Sequence, residues 1–300
     1  MSRQIRCSLI LLTTAAIWGL AYVAQKKALG SLGPFALNTL RGILAWMFLI
    51  PCRSFLEWYD KKKGKVKKYD RKVTIIGGCI TGSILFIACV LQAYGITQSD
   101  VGKAGFLTTL YIVIVPCLSI FIGKKCSAHV WGSVAIALVG TYFLCVKSNF
   151  TIAVGDIWLL LCAFFFACNI IVVGTVCDKV DGVRMSIVQF FVSSCLSLIP
   201  AVLIEHPSGK EILDALPFVA YSGIFSCGVG YTIEIIGQDG LNPTVASLIL
   251  SFESVFSLLA GWLLLNERMS GREIIGCLIV IIAVVIAQLP DKKQKNSLSG

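Results

Sequence analysis

Long apolar runs alternate with short polar breaks from one end of the chain to the other. Each run is about 20 residues, enough for a helix to cross the hydrocarbon layer of a bilayer. Ten such spans are expected, near residues 6–26, 33–53, 72–95, 102–122, 128–147, 155–177, 183–203, 215–237, 242–265 and 271–290. The breaks are short and rich in Gly, Pro, Asn and Asp, leaving no room for a second folded domain. The short alternating segments of a membrane barrel are not seen. The first span follows Arg3 and Arg6 as a secretory leader would, but its length and the lack of a small-residue cleavage site predict a retained helix.

Composition agrees. The chain is 57% hydrophobic and 14% charged, with mean hydropathy +0.85, and a soluble fold needs far more polar surface. The expected class is an all-α polytopic membrane protein. Its net charge of +10 is a topology signal rather than a sign of nucleic acid. With the N-terminus in the cytoplasm, most Lys and Arg fall in inside segments, so both termini are expected inside the cell membrane. The densest run, KKKGKVKK at 61–68, follows Trp58 and Tyr59 and is expected beside anionic lipid headgroups. The polar tail 291–300 is expected to be disordered. Thirteen cysteines, among them Cys89, Cys162 and Cys227, fall almost entirely inside apolar spans and form no CxxC. With only two histidines, they read as small packing residues, and neither a metal nor another cofactor is expected.

An internal echo organises the spans. Residues 91–125 align without a gap on 233–267, pairing Gln92 with Glu234, Gly95 with Gly237, Ala104 with Ala246 and Tyr111 with Glu253. The offset is about half the chain. It predicts a first five-helix repeat over 1–147 and a second over 148–290. A unit that crosses an odd number of times places its copy upside down, a geometry common among secondary transporters. Gly77, Gly78 and Gly82 in the third span, and Gly223, Gly228 and Gly230 in the eighth, let helix backbones approach closely.

Every aspartate falls in a loop or at a helix end, whereas Arg41, Glu234 and Glu253 lie within spans. A charge at the bilayer centre costs about 2.5–3.5 kcal/mol or more, so such groups face a cavity or one another. Glu253, halfway along its span, reads as a substrate contact, a proton carrier, an internal lock, or a neutral side chain bonded to backbone. Arg41 reads as an anion-binding group, a snorkelling side chain or a partner of Glu253 or of a carbonyl. Glu234 is about one turn from the inner end of its span, where interfacial solvation competes with a role as proton-linked gate. Trp18, Tyr22, Gln25, Asn38, Tyr111, Asn169, Gln189 and Tyr231, with Gln92, either complete an amphiphilic pocket or bond helix to helix.

IWGLAYVAQKKAL at 17–29, Arg41 within LNTLRGILAWMFLIP, LQAYGITQSDVGKAGFLTTLYIVIVP at 91–116 and ASLILSFESVFSLLAGWLLLNE at 246–267 together resemble the drug/metabolite transporter superfamily, EamA type. The resemblance implies ten helices in two inverted halves, a central cavity, peripheral fifth and tenth helices, and transport of small metabolites such as amino acids. It places Trp18, Arg41, Tyr111 and Glu253 on family motif positions. Two departures stand out. Ser254 follows the glutamate where many relatives have proline, and Glu234 stands where similar proteins often have glutamine.

The expected function is a secondary, non-ATP transporter moving a small organic metabolite, such as an amino acid or related solute, by alternating access. The alternative is a non-transporting membrane sensor or a lipid-handling scaffold. No HExxH, GxSxG or Walker A motif points to an enzyme or an ATP-driven pump.

Overall fold

The computed structural model describes residues 3–62, 69–99, 101–123, 127–145, 154–265 and 270–287. The basic residues 63–68, the expected repeat junction at 147–148 and the tail 291–300 lie outside the described residues. Every regular element among the described residues is helical. The first half comprises α1 (Arg3–Ala28), α2 (Pro34–Lys62), α3 (Arg71–Gln98), α4 (Val101–Thr109), α5 (Tyr111–Phe121) and α6 (Ala128–Cys145). The second begins with α7 (Val154–Val176) and α8 (Gly182–Pro200), the latter prolonged by a π-helical turn, Ala201–Glu205. There follow α9 (Gly209–Ala220), a π-helical stretch Tyr221–Gly230, and α10 (Tyr231–Gln238), which form one continuous rod. The remaining elements are α11 (Pro243–Leu250), α12 (Glu253–Leu265) and α13 (Gly271–Ala287).

Among the described residues, eight stretches are long and apolar enough to cross a membrane. The expected fifth and tenth spans correspond to α6 and α13, whose helices are 18 and 17 residues long. The chain is a multi-pass membrane protein turned inside out relative to a soluble one. Ile76, Ile199, Leu203, Phe121 and Leu263 face outward, whereas Gln92, Glu234, Arg41 and Glu253 are buried. With no water in the bilayer core, polar groups find partners within the protein. Local signals set the helix starts. Asp70 caps α3 and Asp181 caps α8, each accepting from two backbone N–H groups, and Ser208 with Glu211 forms a capping box on α9.

The halves interlock reciprocally. α3 packs on α7 and α8, and its counterpart, the α9–α10 rod, packs on α1 and α2. α4 and α5 lie against α7, while α12 and α11 lie against α1. The most extensively packed counterparts are α2 with α8 and α6 with α13. The α2–α8 pair runs antiparallel. At one end Glu57, late in α2, pairs with Arg184 in the first turn of α8. At the other, Glu205 beyond α8 accepts from the backbone N–H groups of Phe35 (2.9 Å) and Ala36 (2.7 Å) at the start of α2. Counterpart helices that run in opposite directions make the second repeat an inverted copy of the first. α6 and α13 have each other as principal partners, at the periphery.

Glycines set the close approaches on both sides of this pseudo-symmetry. A Cβ on Gly78 would come 2.7 Å from Val188 Cβ, and one on Gly82 3.0 Å from Val192 Cβ, both on α8. A Cβ on Gly223 would come 2.8 Å from Leu44 Cβ and 2.9 Å from the Arg41 carbonyl on α2. Only a bare backbone fits there, and van der Waals contact is what apolar helices gain by leaving lipid.

The fourth and ninth rods are each interrupted at the same place. The first breaks at Leu110 between α4 and α5, the second at Ser251 and Phe252 between α11 and α12. At each break tight i→i+3 bonds replace the helical ladder: Leu110 N–H to Leu107 O (3.3 Å) and Phe252 N–H to Ile249 O (3.2 Å). The second break forms without the proline expected of relatives. Ser251 and Ser254 hydroxyls donate to the carbonyls of Leu248 (2.7 Å) and Ser251 (2.8 Å), drawing backbone acceptors toward side chains as mid-helix serines do.

Candidate functional site: a polar cavity between the halves

A cavity lies between the two repeats, walled by α1, α2, α3, α5, α7, the π-helical stretch, α10 and α12. Its lining comes from both halves. Neither of the peripheral helices α6 and α13 contributes. On α1 the lining residues Trp18, Tyr22 and Gln25 recur at helical spacing and share one face. The cavity is about 30 Å³. That admits only a water or so, so a larger solute requires the surrounding helices to part.

Arg41 is 4% exposed and braced on two sides. Its Nε and one terminal nitrogen donate to Asn38 Oδ1 at 3.2 and 3.0 Å, and the other terminal nitrogen donates to Gln25 Oε1 at 3.0 Å. Asn38 is fixed in turn by donating to Ser193 Oγ (3.2 Å) and Ser197 Oγ on α8. The amide oxygens of Asn38, one turn back on α2, and of Gln25 on α1 thus occupy the guanidinium. The alternative pairing of Arg41 with Glu253 is not observed; Glu253 Oε1 instead accepts from the Tyr111 hydroxyl at 3.1 Å.

Glu234 departs from the expectation of interfacial solvation. It is 1% exposed and lines the cavity. α10 continues to Gln238, whose Nε2 donates to Glu234 Oε1 at 2.8 Å, one turn away on the same face. Glu234 Oε2 is buried with no hydrogen-bond partner, and so is Asn169 Oδ1 on α7. Gln92, the repeat counterpart of Glu234, donates to the Tyr22 hydroxyl at 3.2 Å. Trp18 Nε1 donates to the Ser226 carbonyl (3.3 Å), and its ring lies 4.6 Å from that of Tyr231.

The structure therefore gathers Trp18, Tyr22, Arg41, Gln92, Tyr111, Asn169, Glu234 and Glu253 around one cavity. Asn38 stands behind Arg41. Gln189 does not line the cavity: it is buried in α8, beneath Gly82, with both amide atoms lacking partners. Four polar contributors are absent from the sequence reading. Gln238 follows Glu234 by four residues, a spacing that signals a helix-face pair. Ser193 and Ser197 are likewise four apart, facing Asn38. Ser226 takes part through its carbonyl in a π-helical turn, for which the side-chain pattern carries no signal. No group of three or more His, Cys, Asp or Glu is placed to hold a metal among the described residues.

Comparison with known proteins accords with this geometry. The model of the EamA-like transporter family matches twice, over residues 5–146 and 153–288. An uncharacterized transporter of Archaeoglobus fulgidus is 28% identical over 96% of this chain and 87% of its own length. The uncharacterized transporter YoaV of Bacillus subtilis is 22% identical, covering 97% of this chain and 100% of its own. The WAT1-related protein At3g02690, chloroplastic, of Arabidopsis thaliana is 22% identical over 94% of this chain and 69% of its own length. A solved crystal structure superposes with a TM-score of 0.73 at 20% identity, covering 95% of this chain and 98% of the other.

Proposed function

This chain belongs to the EamA-like transporter family, and from that premise we propose that it is a secondary transporter moving a small organic metabolite across the cell membrane by alternating access. The observation that carries the reading is the cavity itself: polar, buried, and lined from both inverted halves at the breaks of the fourth and ninth rods. A broken rod has a flexible joint where the lining residues Tyr111 and Glu253 sit, and inversion gives the site two similar approaches from opposite faces. Arg41, Glu234 and Glu253 are the groups that would meet the solute and, through the carboxyls, protons. An amino acid or related solute suits a cavity that offers both signs of charge beside aromatic rings. The chain crosses ten times with both termini in the cytoplasm, and the basic run at 61–68 lies against anionic headgroups.

Purified protein in proteoliposomes tests this. Solute-dependent flux is expected from a metabolite panel, and Glu253→Gln should depress it with little change in melting temperature. A folded protein that moves nothing in the panel would instead favour a sensor or a lipid-handling scaffold.

A further inference from the structure

The cavity's own groups decide the charge of its occupant. Arg41 is the cation among the lining residues, and three of its five N–H donors are engaged by the neutral oxygens of Asn38 and Gln25. Two carboxyl side chains, Glu234 and Glu253, face the same space. Each has one partner on Oε1, from Gln238 and Tyr111 respectively. Glu234 Oε2 and Asn169 Oδ1 remain buried and unpartnered, and such acceptors are costly to leave unmade. With both carboxylates ionised, the lining carries a net charge of −1. The rings of Trp18 and Tyr231, 4.6 Å apart, line the same space, and aromatic rings attract a cation.

The geometry points to a cationic solute: an organic amine whose N–H groups satisfy the vacant acceptors of Glu234 and Asn169 while its apolar body lies against Trp18 and Tyr231. The inference rests on the transporter reading of the cavity and deepens it. Protons compete for the same two carboxyls, so amine binding weakens as pH falls. The other ionisable groups around the cavity are Arg41, Tyr22, Tyr111 and Tyr231, with the buried thiols of Cys89, Cys162 and Cys227 in the surrounding helices. The asymmetry has a sequence origin. At the echo positions the first half offers the neutral Gln92 and Tyr111, and only the second half supplies carboxyls.

The test uses the purified full chain and probes of matched skeleton: n-butylamine, n-butanol and butyrate, and phenethylamine, 2-phenylethanol and phenylacetate. Thermal protection at pH 6 and pH 8 is the readout, since a ligand of the folded state raises its melting temperature. Protection by the amines alone is expected, strengthening by up to about tenfold in apparent affinity per pH unit. Glu234→Gln should abolish the preference for amines. Where that variant does not fold, Asn169→Asp should increase amine affinity. Equal protection by the alcohols, stronger protection by the carboxylates, or none by either amine overturns the inference. Amine protection without amine flux in liposomes sinks the transporter reading alone. Flux of neutral or anionic solutes without amine binding sinks the cation inference alone.

Discussion

The hydroxyl of Tyr111 donates to Glu253 Oε1 at 3.1 Å across a separation of 142 residues. That separation is the offset at which the two halves of the sequence echo each other, so the bond joins two copies of one ancestral position. Each residue opens the helix that follows the break in its rod. The bond therefore ties the joint of the first half to the joint of the second, through the wall of the cavity. Any motion that parts α5 from α12 at this level has to break it.

Tyr111→Phe leaves a buried carboxyl oxygen without its donor, at a cost of about 1–3 kcal/mol. A drop of several degrees in melting temperature is expected in detergent. Adding Glu253→Leu to Tyr111→Phe should cost less than the two single changes together, since each removes one partner of the same hydrogen bond. A strictly additive cycle would show that the two side chains act independently.

Arg41 is expected to tolerate no replacement. Lysine lacks the planar fork that reaches Asn38 and Gln25 at once, and methionine leaves both amide oxygens unpaired. A loss of about 2–3 kcal/mol is predicted for Arg41→Lys, from hydrogen bonds to a charged group. Chemical denaturation in detergent measures it. Ser197→Ala should show a smaller loss, because Asn38 keeps Ser193.

Much of this arrangement was legible in the residues. The echo pairs Tyr111 with Glu253, and intramembrane charge singles out Arg41, Glu234 and Glu253. What side-chain patterns do not carry is backbone geometry and partnership across the fold. The Ser226 carbonyl is presented by a π-helical stretch, Tyr221–Gly230, that has no counterpart in the regular helix α3. Distance along a helix does not fix depth, so the sequence leaves solvation of Glu234 open; packing of α10 against α1 and α8 buries it. Arg41 met amides rather than Glu253 because its nearest acceptors lie one turn away on α2 and opposite on α1. Length alone could not separate α6 and α13 from the cavity helices.

The glycine seams make a matched pair of predictions. Gly223→Ala forces a methyl within 2.8 Å of Leu44 Cβ and 2.9 Å of the Arg41 carbonyl, which must shift. Overpacking of this kind costs about 1–3 kcal/mol. Gly132→Ala has open space around the new methyl and should be neutral or stabilising, since alanine favours helix by about 1 kcal/mol. Melting temperatures that fall equally for both would contradict the seam.

Glu205 caps α2 from the other half of the chain, accepting from Phe35 and Ala36 N–H. Glu205→Ala should cost about 1–2 kcal/mol, the range for losing a cap and a favourable dipole contact. Amide exchange at Phe35 and Ala36 should quicken in the variant while exchange in the middle of α2 stays slow.

Because each repeat lends its third rod to the first two rods of the other, no flat wall separates them; they clasp. A gene divided between α6 and α7 would yield fragments whose glycine rows lie bare and whose buried groups are orphaned, Asn38 without Ser193 and Glu253 without Tyr111. Either fragment alone should be unstable in the membrane, and the two made together should associate and restore these contacts.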